Sequence, residues 1–215
     1  MTKPIIIFGN KDLAEMAKFY FTQVGRPVAG FAMDNPEKDT FKDLPLWDMD
    51  TLKEDKNPAD YDMFAPMYSN KKREMVYWRL RDLGYKLVNF IHDTAHVWDP
   101  WVINVGQNNF VQEHNNIQYG TYVGDNNIFW AGNHIGHHGK IGAHNYFSSH
   151  VVLSGHCTVL NSNFFGVNCT IKDGVTIAEG NYIGANSYVG KDINTNWTLY
   201  YGCPVEAKGD AKKLM

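Results

Sequence analysis

Histidines are the residues of this sequence best suited to chemistry, because most of them fall in one stretch. Six of the nine histidines lie between Ala131 and Val159. A neutral imidazole takes a proton from an attacking amine or hydroxyl, and it also binds transition metals. We therefore expect this stretch to carry either a general base or a metal site, and the spacing of the histidines has to decide between them.

Four of these histidines, His138, His144, His150 and His156, follow one another at every sixth position. The interval belongs to a longer repeat, because every sixth residue from Val105 to Val189 is apolar. A period of six over this length is typical of the left-handed parallel β-helix, in which three hexapeptides form one triangular coil and the coils stack at a strand separation of roughly 4.8 Å. The repeat predicts about five coils with no inserted loop.

A coil of three hexapeptides sorts the histidines by position. His138 and His156 are one coil apart, so we expect them to stack. Two imidazoles are half of a metal site and no acidic residue of the same coil completes it, so we predict a hydrogen-bonding or substrate-lining role and no metal. His137 stands outside this series, and Gly155 one coil later leaves room for an acyl chain beside it. From the residues alone, we favour the interpretation of His137 as an idle surface histidine in a subunit interface.

The first 90 or so residues follow a different pattern, in which short apolar runs alternate with helical periodicity. The runs "PIIIFG", "PVAGFAMD", "YDMFAPMY" and "KLVNFIH" predict strands, and "KDLAEMAKFYFTQVG" and "KKREMVYWRLRDLG" predict helices. This order predicts a small parallel Rossmann-like α/β unit over residues 1–92, followed by the β-helix over residues 93–215.

Ligands of such sheets bind at the carboxyl ends of the strands. The residues there are Gly9 and Asn10 after the first strand and Asp34 and Asn35 after the second, and we interpret them as the substrate-binding residues. Asp34 and Asn35 are equally well explained as turn caps.

Composition excludes several classes of function. The net charge of −3 gives no basic surface for nucleic acid, and no run approaches the roughly 20 apolar residues needed to cross a membrane. The start of the sequence lacks a signal peptide, so we expect a cytoplasmic protein. Three cysteines without metal-type spacing predict reduced thiols, and we do not expect Cys157 or Cys169 to be nucleophiles.

The α/β unit, the hexapeptide repeat, "HIGHHGKIG" in its middle and "YVGKDINTNWTLYYGCPVEAKG" at its end together resemble one family. It is the sugar acetyltransferases of the sialic acid O-acetyltransferase and bacillosamine N-acetyltransferase group. The resemblance implies a homotrimer that transfers an acetyl group from acetyl-CoA to an amino or hydroxyl group of a nucleotide-linked sugar. It also implies a role in making bacterial surface glycans such as lipopolysaccharide.

The resemblance also implies roles for individual residues. His137 aligns with the general base, and His138 takes the next position, where the family usually has an acidic residue. The residues expected to contact acetyl-CoA are Tyr146, Gly155, His156 and Asp173. After the first strand, "FGNKDLAEM" keeps Gly9 but lacks the small residues and histidine common in the family.

Three other functions fit the same fold. One is a metal-dependent lyase or hydratase, similar to a carbonic anhydrase, built on the histidines of the prism. Another is an acyltransferase that uses a different acyl donor or a free sugar. The last is a scaffold without catalysis.

Overall fold

The computed structural model describes residues 2–98 and 106–213. The chain forms two compact units, one from Met1–Tyr68 and Lys72–Asn89 and the other from Ser69–Lys71 and Phe90–Met215. The boundary expected after residue 92 lies close to the change between these units at residue 90.

The first unit is an α/β sheet. Its elements, in chain order, are β1 (Ile5–Phe8), α1 (Asp12–Gln23), β2 (Val28–Ala32), β3 (Thr40–Phe41), β4 (Leu44–Trp47), α2 (Met49–Asp55), β5 (Asp62–Phe64), α3 (Asn70–Asp82) and β6 (Lys86–Leu87). The strand order is β3-β4-β2-β1-β5-β6, and all pairs are parallel except the edge hairpin β3–β4. The predicted parallel sheet is confirmed, with an antiparallel edge added to it.

Strand β1 lies at the centre of this sheet because it is apolar on both faces. Ile5, Ile6 and Ile7 have no exposed surface, as expected for a parallel strand covered on both sides. The chain places β2 on one side of β1 and later places β5 on the other. This reversal of direction opens a crevice at the carboxyl ends of β1 and β5.

The prediction of "KLVNFIH" as one strand is wrong. Lys86–Leu87 closes the sheet of the first unit, whereas Phe90–Ile91 pairs with Phe110–Val111 in the second. An unbroken apolar run does not show where the chain leaves one sheet for another, because both sheets bury apolar residues.

The second unit is a stack of two-residue strands joined by turns. These strands are β7 (Phe90–Ile91), β8 (His96–Val97), β9 (Phe110–Val111), β10 (Asn116–Ile117), β11 (Tyr122–Val123), β12 (Ile128–Phe129), β13 (His134–Ile135), β14 (Lys140–Ile141), β15 (Tyr146–Phe147), β16 (Val152–Leu153), β17 (Thr158–Val159), β18 (Phe164–Phe165), β19 (Thr170–Ile171), β20 (Thr176–Ile177), β21 (Tyr182–Ile183) and β22 (Tyr188–Val189). They are followed by β23 (Thr198–Tyr201), β24 (Glu206–Asp210) and a 3₁₀ turn at Ala211–Lys213.

Three parallel sheets form the faces of a prism. The first sheet has the strand order β8-β10-β13-β16-β19-β22, and the second has the order β11-β14-β17-β20. The third has the order β7-β9-β12-β15-β18-β21-β23, with β24 antiparallel at its end. From Phe110 to Val189, strands that pair are offset by three hexapeptides, as in Phe110↔Ile128 and His134↔Val152. The predicted left-handed parallel β-helix is confirmed.

The prism begins earlier than the repeat predicted. Strands β7 and β8 already pair with the first regular coil, where Phe90 faces Phe110 and His96 faces Asn116. These pairs are further apart in the sequence than the three hexapeptides of a regular coil. The longer offset breaks the period of six, so the sequence pattern did not reveal this coil.

The predicted core column is confirmed from Val111 to Val189. Every sixth residue in that range is at most 1% exposed, and Val105 lies outside the described residues. Inside the prism the rings of Phe129, Phe147 and Phe165 stack at centroid distances of 4.6 and 4.7 Å with 3° between planes.

The corners of the prism require a left-handed backbone. All fourteen positions at every sixth residue from Asn108 to Asn186 have a positive φ. Four of them are glycines, and five are histidines with φ between 54° and 64°, namely His114, His138, His144, His150 and His156. Histidine and asparagine are enriched among the residues that adopt this conformation. The regular spacing of these histidines is therefore explained by the turns.

An asparagine ladder runs along the prism next to one set of corners. Each of four asparagine side chains accepts, at its Oδ1, the backbone N–H of the asparagine one coil later, at 2.8 Å. The ladder consists of Asn109, Asn127, Asn145, Asn163 and Asn181, all fully buried. These bonds satisfy backbone donors that the turns leave without a strand partner.

Candidate active site

Two histidines of the central stretch stack at one corner of the prism. His138 and His156 occupy equivalent left-handed turn positions, with φ of 54° and 56°. Their rings lie 5.3 Å apart between centroids with 13° between planes. The predicted stacking of this pair is confirmed.

His137 joins the pair from the neighbouring position. Its Nδ1 lies 3.1 Å from Nδ1 of His138, and its ring stands at 88° to that of His156 with 5.0 Å between centroids. All three side chains are exposed. We call His137, His138 and His156 the three-histidine cluster.

Gly155 lies directly beside His137 on the next coil. A Cβ on Gly155 would stand 2.8 Å from Cε1 of His137 and 2.9 Å from both Nε2 of His137 and Oδ1 of Asp173. A side chain at this position would therefore collide with both groups. The space expected there for an acyl chain is taken up in this chain by the His137 ring and the Asp173 carboxylate, which both lie close to Gly155.

Tyr146 lies on another part of the prism. It belongs to β15, in a different sheet from β13 and β16, which precede the cluster. Its side chain is 5% exposed, it stacks on Phe164 at 5.0 Å, and its hydroxyl accepts a hydrogen bond from Nε1 of Trp130. Within one chain the structure brings Gly155, His156 and Asp173 to His137 but leaves Tyr146 apart from them.

The buried cysteines are poor nucleophiles. Cys157 and Cys169 have no exposed surface. Burial raises the pKa of the Cys169 thiol to about 12 and raises that of Cys157 as well. Both thiols therefore stay protonated near neutral pH, and protonated thiols react slowly.

In the first unit, the turn after β1 depends on a glycine. Gly9 has a φ of 128°, which residues with a side chain rarely adopt, and its N–H donates to the Ala32 carbonyl at 2.8 Å. Asn10 follows, and Lys11 is the N-cap of α1 without a side-chain capping bond. The predicted residues thus lead directly into a helix N-terminus whose first N–H groups favour anions.

Asp34 follows β2 as predicted, but its carboxylate already has a partner. Oδ2 and Oδ1 accept hydrogen bonds from Nη1 and Nη2 of Arg79 at 3.0 and 2.7 Å. Hydrogen bonding to Arg79 is the main reason that the pKa of Asp34 is lowered. Arg79 was missed from the sequence, because a distant charge on a helix gives no local signal.

Asn35 has a φ of 48°, which supports the turn interpretation. It also lines a cavity of about 600 Å³ in the first unit. The lining residues are Asn35, Pro36, Asp39, Leu46, Trp47, Asp48 and Thr51. A ligand at the end of β2 therefore has a polar cavity next to it.

Comparison with known proteins gives matches among solved structures only. No family model matches the sequence, and no curated protein is similar enough to match it. A His-to-Asn variant of perosamine N-acetyltransferase from Caulobacter crescentus, in complex with CoA and GDP-perosamine, is 25% identical, with a TM-score of 0.89 over 98% of this chain and 99% of that one. The resemblance to hexapeptide-repeat sugar acetyltransferases is confirmed.

Two further structures extend the similarity. The acetyltransferase domain of PglB from Neisseria gonorrhoeae is 20% identical and has a TM-score of 0.85, over 96% of this chain and 100% of that one. WeeI from Acinetobacter baumannii is 15% identical and has a TM-score of 0.84, with the same coverage of 96% and 100%. At these identities the two structures show the fold, and their coverage includes the α/β unit as well as the prism.

The helices of this acetyltransferase fold are short. In residues 2–98 and 106–213, no helix is long and apolar enough to cross a membrane.

Proposed function

We propose that this chain is an acetyl-CoA-dependent acetyltransferase that acts on an amino or hydroxyl group of a nucleotide-activated sugar. The observation that carries the proposal is the His137 imidazole, which is held between His138 and the glycine at position 155 on a fold shared with sugar acetyltransferases. The solved structures support the two substrates, because one contains CoA and GDP-perosamine and another contains acetyl coenzyme A. The product serves bacterial surface glycan synthesis.

His137 acts as the general base. Because its Nδ1 is 3.1 Å from Nδ1 of His138, one of these nitrogens donates and the other accepts. When His137 donates, its proton is fixed on Nδ1, and Nε2 is left to take the proton of the attacking sugar amine. His138 thereby performs the orienting role usually given to an acidic residue.

The reaction proceeds by direct attack of the sugar on the thioester, since the buried thiols are protonated. The tetrahedral intermediate needs a donor for its oxyanion. Within the described residues, the N–H of Gly155 donates to no acceptor. Gly155 is the residue next to the His137 ring, so we assign its N–H as the oxyanion donor.

The active form is a homotrimer with sites between adjacent prisms. Gly155, His156 and Asp173 contact acetyl-CoA from the corner that carries His137, and Tyr146 contacts it from another sheet of the prism. A second chain brings these two surfaces together, which explains why one chain keeps them apart.

The first unit holds the nucleotide-linked sugar through Gly9, Asn10, Asp34 and Asn35. The N-terminus of α1, where Lys11 makes no side-chain capping bond, receives a phosphate group through its first backbone N–H groups. Arg79 fixes the Asp34 carboxylate at the end of β2, so the pair presents hydrogen-bonding groups in a defined orientation.

The test is acetyl transfer to a panel of nucleotide-linked sugars that carry either a free amine or only hydroxyl groups. We expect CoA release that depends on the sugar and a product heavier by one acetyl group in mass spectrometry. If acetyl-CoA binds but no sugar of either kind is acetylated, the proposal is wrong.

A further inference from the structure

The three-histidine cluster has a second chemical use. Within residues 2–98 and 106–213, it is the group in which three side chains each offer a metal-ligand atom, all within 4.8 Å of one another. The spacing in the sequence predicts only the stacked pair His138 and His156, which is half of a metal site. His137 supplies the third imidazole.

The nitrogen positions suit a small transition metal ion. In a tetrahedral zinc site the metal–nitrogen bonds of 2.0–2.1 Å place ligand nitrogens roughly 3.3 Å apart. Nδ1 of His137 and Nδ1 of His138 are already 3.1 Å apart. The His156 ring lies against both, 5.0 and 5.3 Å away between centroids, so rotation of exposed side chains is enough to complete the set.

The carboxylate of Asp173 lies close to the imidazole of His137. Metal-binding histidines usually donate their second N–H to a carboxylate, which fixes the tautomer and orients the ring. Nε2 of His137 and Oδ1 of Asp173 each lie 2.9 Å from the point where a Cβ on Gly155 would stand. Both groups approach the same space beside Gly155, so rotation of these two exposed side chains brings Asp173 Oδ1 to the Nε2–H of His137 while Nδ1 binds a metal.

We propose that His137, His138 and His156 bind a divalent transition metal ion, with zinc as the best match for three neutral imidazoles. The exposed cluster leaves the fourth coordination position open.

Metal binding and acetyl transfer are mutually exclusive, and this part rests on the proposed function. The bound metal takes Nδ1 of His137 and keeps the proton on Nε2, whereas the general base needs Nε2 free. Zinc at this site therefore inhibits acetylation.

The experiment titrates the chelator-treated full chain with Co²⁺, whose visible absorption reports a low coordination number, and then displaces it with Zn²⁺. We expect one ion per chain, loss of the signal in His138→Asn and His156→Asn, and about 10–100-fold weaker binding in Asp173→Asn. Asparagine keeps the left-handed turn. His150→Asn is the matched control, because His150 is exposed and has the same backbone conformation, with φ of 60°, at another corner.

Absence of Co²⁺ and Zn²⁺ binding would overturn the proposal. Binding that survives in His138→Asn and His156→Asn, or that His150→Asn removes equally, would overturn it too. In a second assay, independent of the metal titration, acetylated sugar is measured with and without Zn²⁺. Metal binding by a chain that acetylates no sugar keeps the metal site and refutes the proposed function, and acetylation by a chain that binds no metal does the reverse. Unchanged acetylation at saturating Zn²⁺ refutes the mutual exclusion.

Discussion

At the scale of single residues, spacing predicted which side chains share a corner but not how they are oriented. The interval of one coil placed His156 over His138 and Gly155 next to His137. It did not show that the His137 ring turns toward His138, because a side-chain rotation leaves no trace in a repeat. Arg79, which binds Asp34, was missed for another reason: the contact depends on how α3 packs.

Replacing His137 tests the assigned base. In His137→Asn we expect kcat to fall by about 10²–10⁴, the usual contribution of a positioned acid–base group. His137 is exposed and outside the core column, so the circular dichroism spectrum and melting temperature should remain those of the wild type. His138→Asn should cost less, because it removes the orienting imidazole and keeps the left-handed turn. Near-normal turnover in His137→Asn combined with an inactive His138→Asn would assign the base to His138.

The Asp34–Arg79 pair predicts a small, pH-dependent contribution to stability. The pKa of Asp34 is lowered in the folded chain, so its contribution is present above the unfolded carboxyl value and disappears as the pH falls through the folded one. Both side chains are partly exposed, at 47% and 37%, which limits the effect to about 1 kcal/mol or less.

Urea unfolding of wild type and Asp34→Asn measures this contribution. The difference in unfolding free energy should be present at pH 7, shrink below the ordinary carboxyl pKa of 3.8 and vanish below the lowered pKa of the folded chain. Asp60→Asn, at an exposed turn position, is the control and should show no such difference. A difference in unfolding free energy between wild type and Asp34→Asn that grows as the pH falls would contradict the stabilising role of the Asp34–Arg79 pair.

At the scale of structural elements, the periodicity of apolar residues predicted the strands correctly wherever a single period runs through the segment. The apolar residues at every sixth position predicted strands β9 to β22, and the short apolar runs predicted β1, β2 and β5. The hairpin β3–β4 and the short helix α2 were missed, because Pro45 and several acidic residues leave no clean period between residues 40 and 55. The asparagine ladder was also not predicted. Its members share the spacing of one coil, but only the structure shows that their amides bridge successive coils.

Asn127→Ala tests the contribution of this ladder. The Asn127 Oδ1 accepts the Asn145 N–H, and its Nδ2 donates to Gly124 and Gly142 carbonyls. Alanine removes the acceptor of the buried Asn145 N–H and one donor to each of the two carbonyls, of which Gly124 keeps a bond from Asn109 Nδ2, so we expect a loss of about 1–3 kcal/mol in unfolding free energy. Asn194→Ala, at an exposed position, should change stability by less than about 0.5 kcal/mol. Equal effects of the two changes would rule out a structural role for the ladder.

At the scale of the whole molecule, the sequence predicted two units and their fold classes. The coil formed by β7 and β8 escaped detection because its pairing offset is longer than three hexapeptides. The prism also exposes large apolar side chains, among them Tyr122, Leu160 and Val167 at 50, 46 and 44%. An interface between copies of the chain would cover such surface.

Light scattering coupled to size-exclusion chromatography tests the homotrimer. We expect a mass of three chains at micromolar concentration, because the proposed acetyl-CoA site needs Tyr146 from a second prism. A monomer of full activity would show that the site is complete within one chain.

The constant pairing offset also determines how the prism folds. In the regular part of the prism, the strands of each coil pair with those of the coil before it and the coil after it, so the prism behaves as a linear array in which order spreads from neighbour to neighbour. Interior coils are supported on both sides, whereas terminal coils fray. Amide hydrogen exchange should therefore be slowest near β13 and β16 and faster toward β22. In such an array a destabilising substitution loosens its own coil and the adjacent coils first, so the chain unzips from the nearer end instead of melting in a single step.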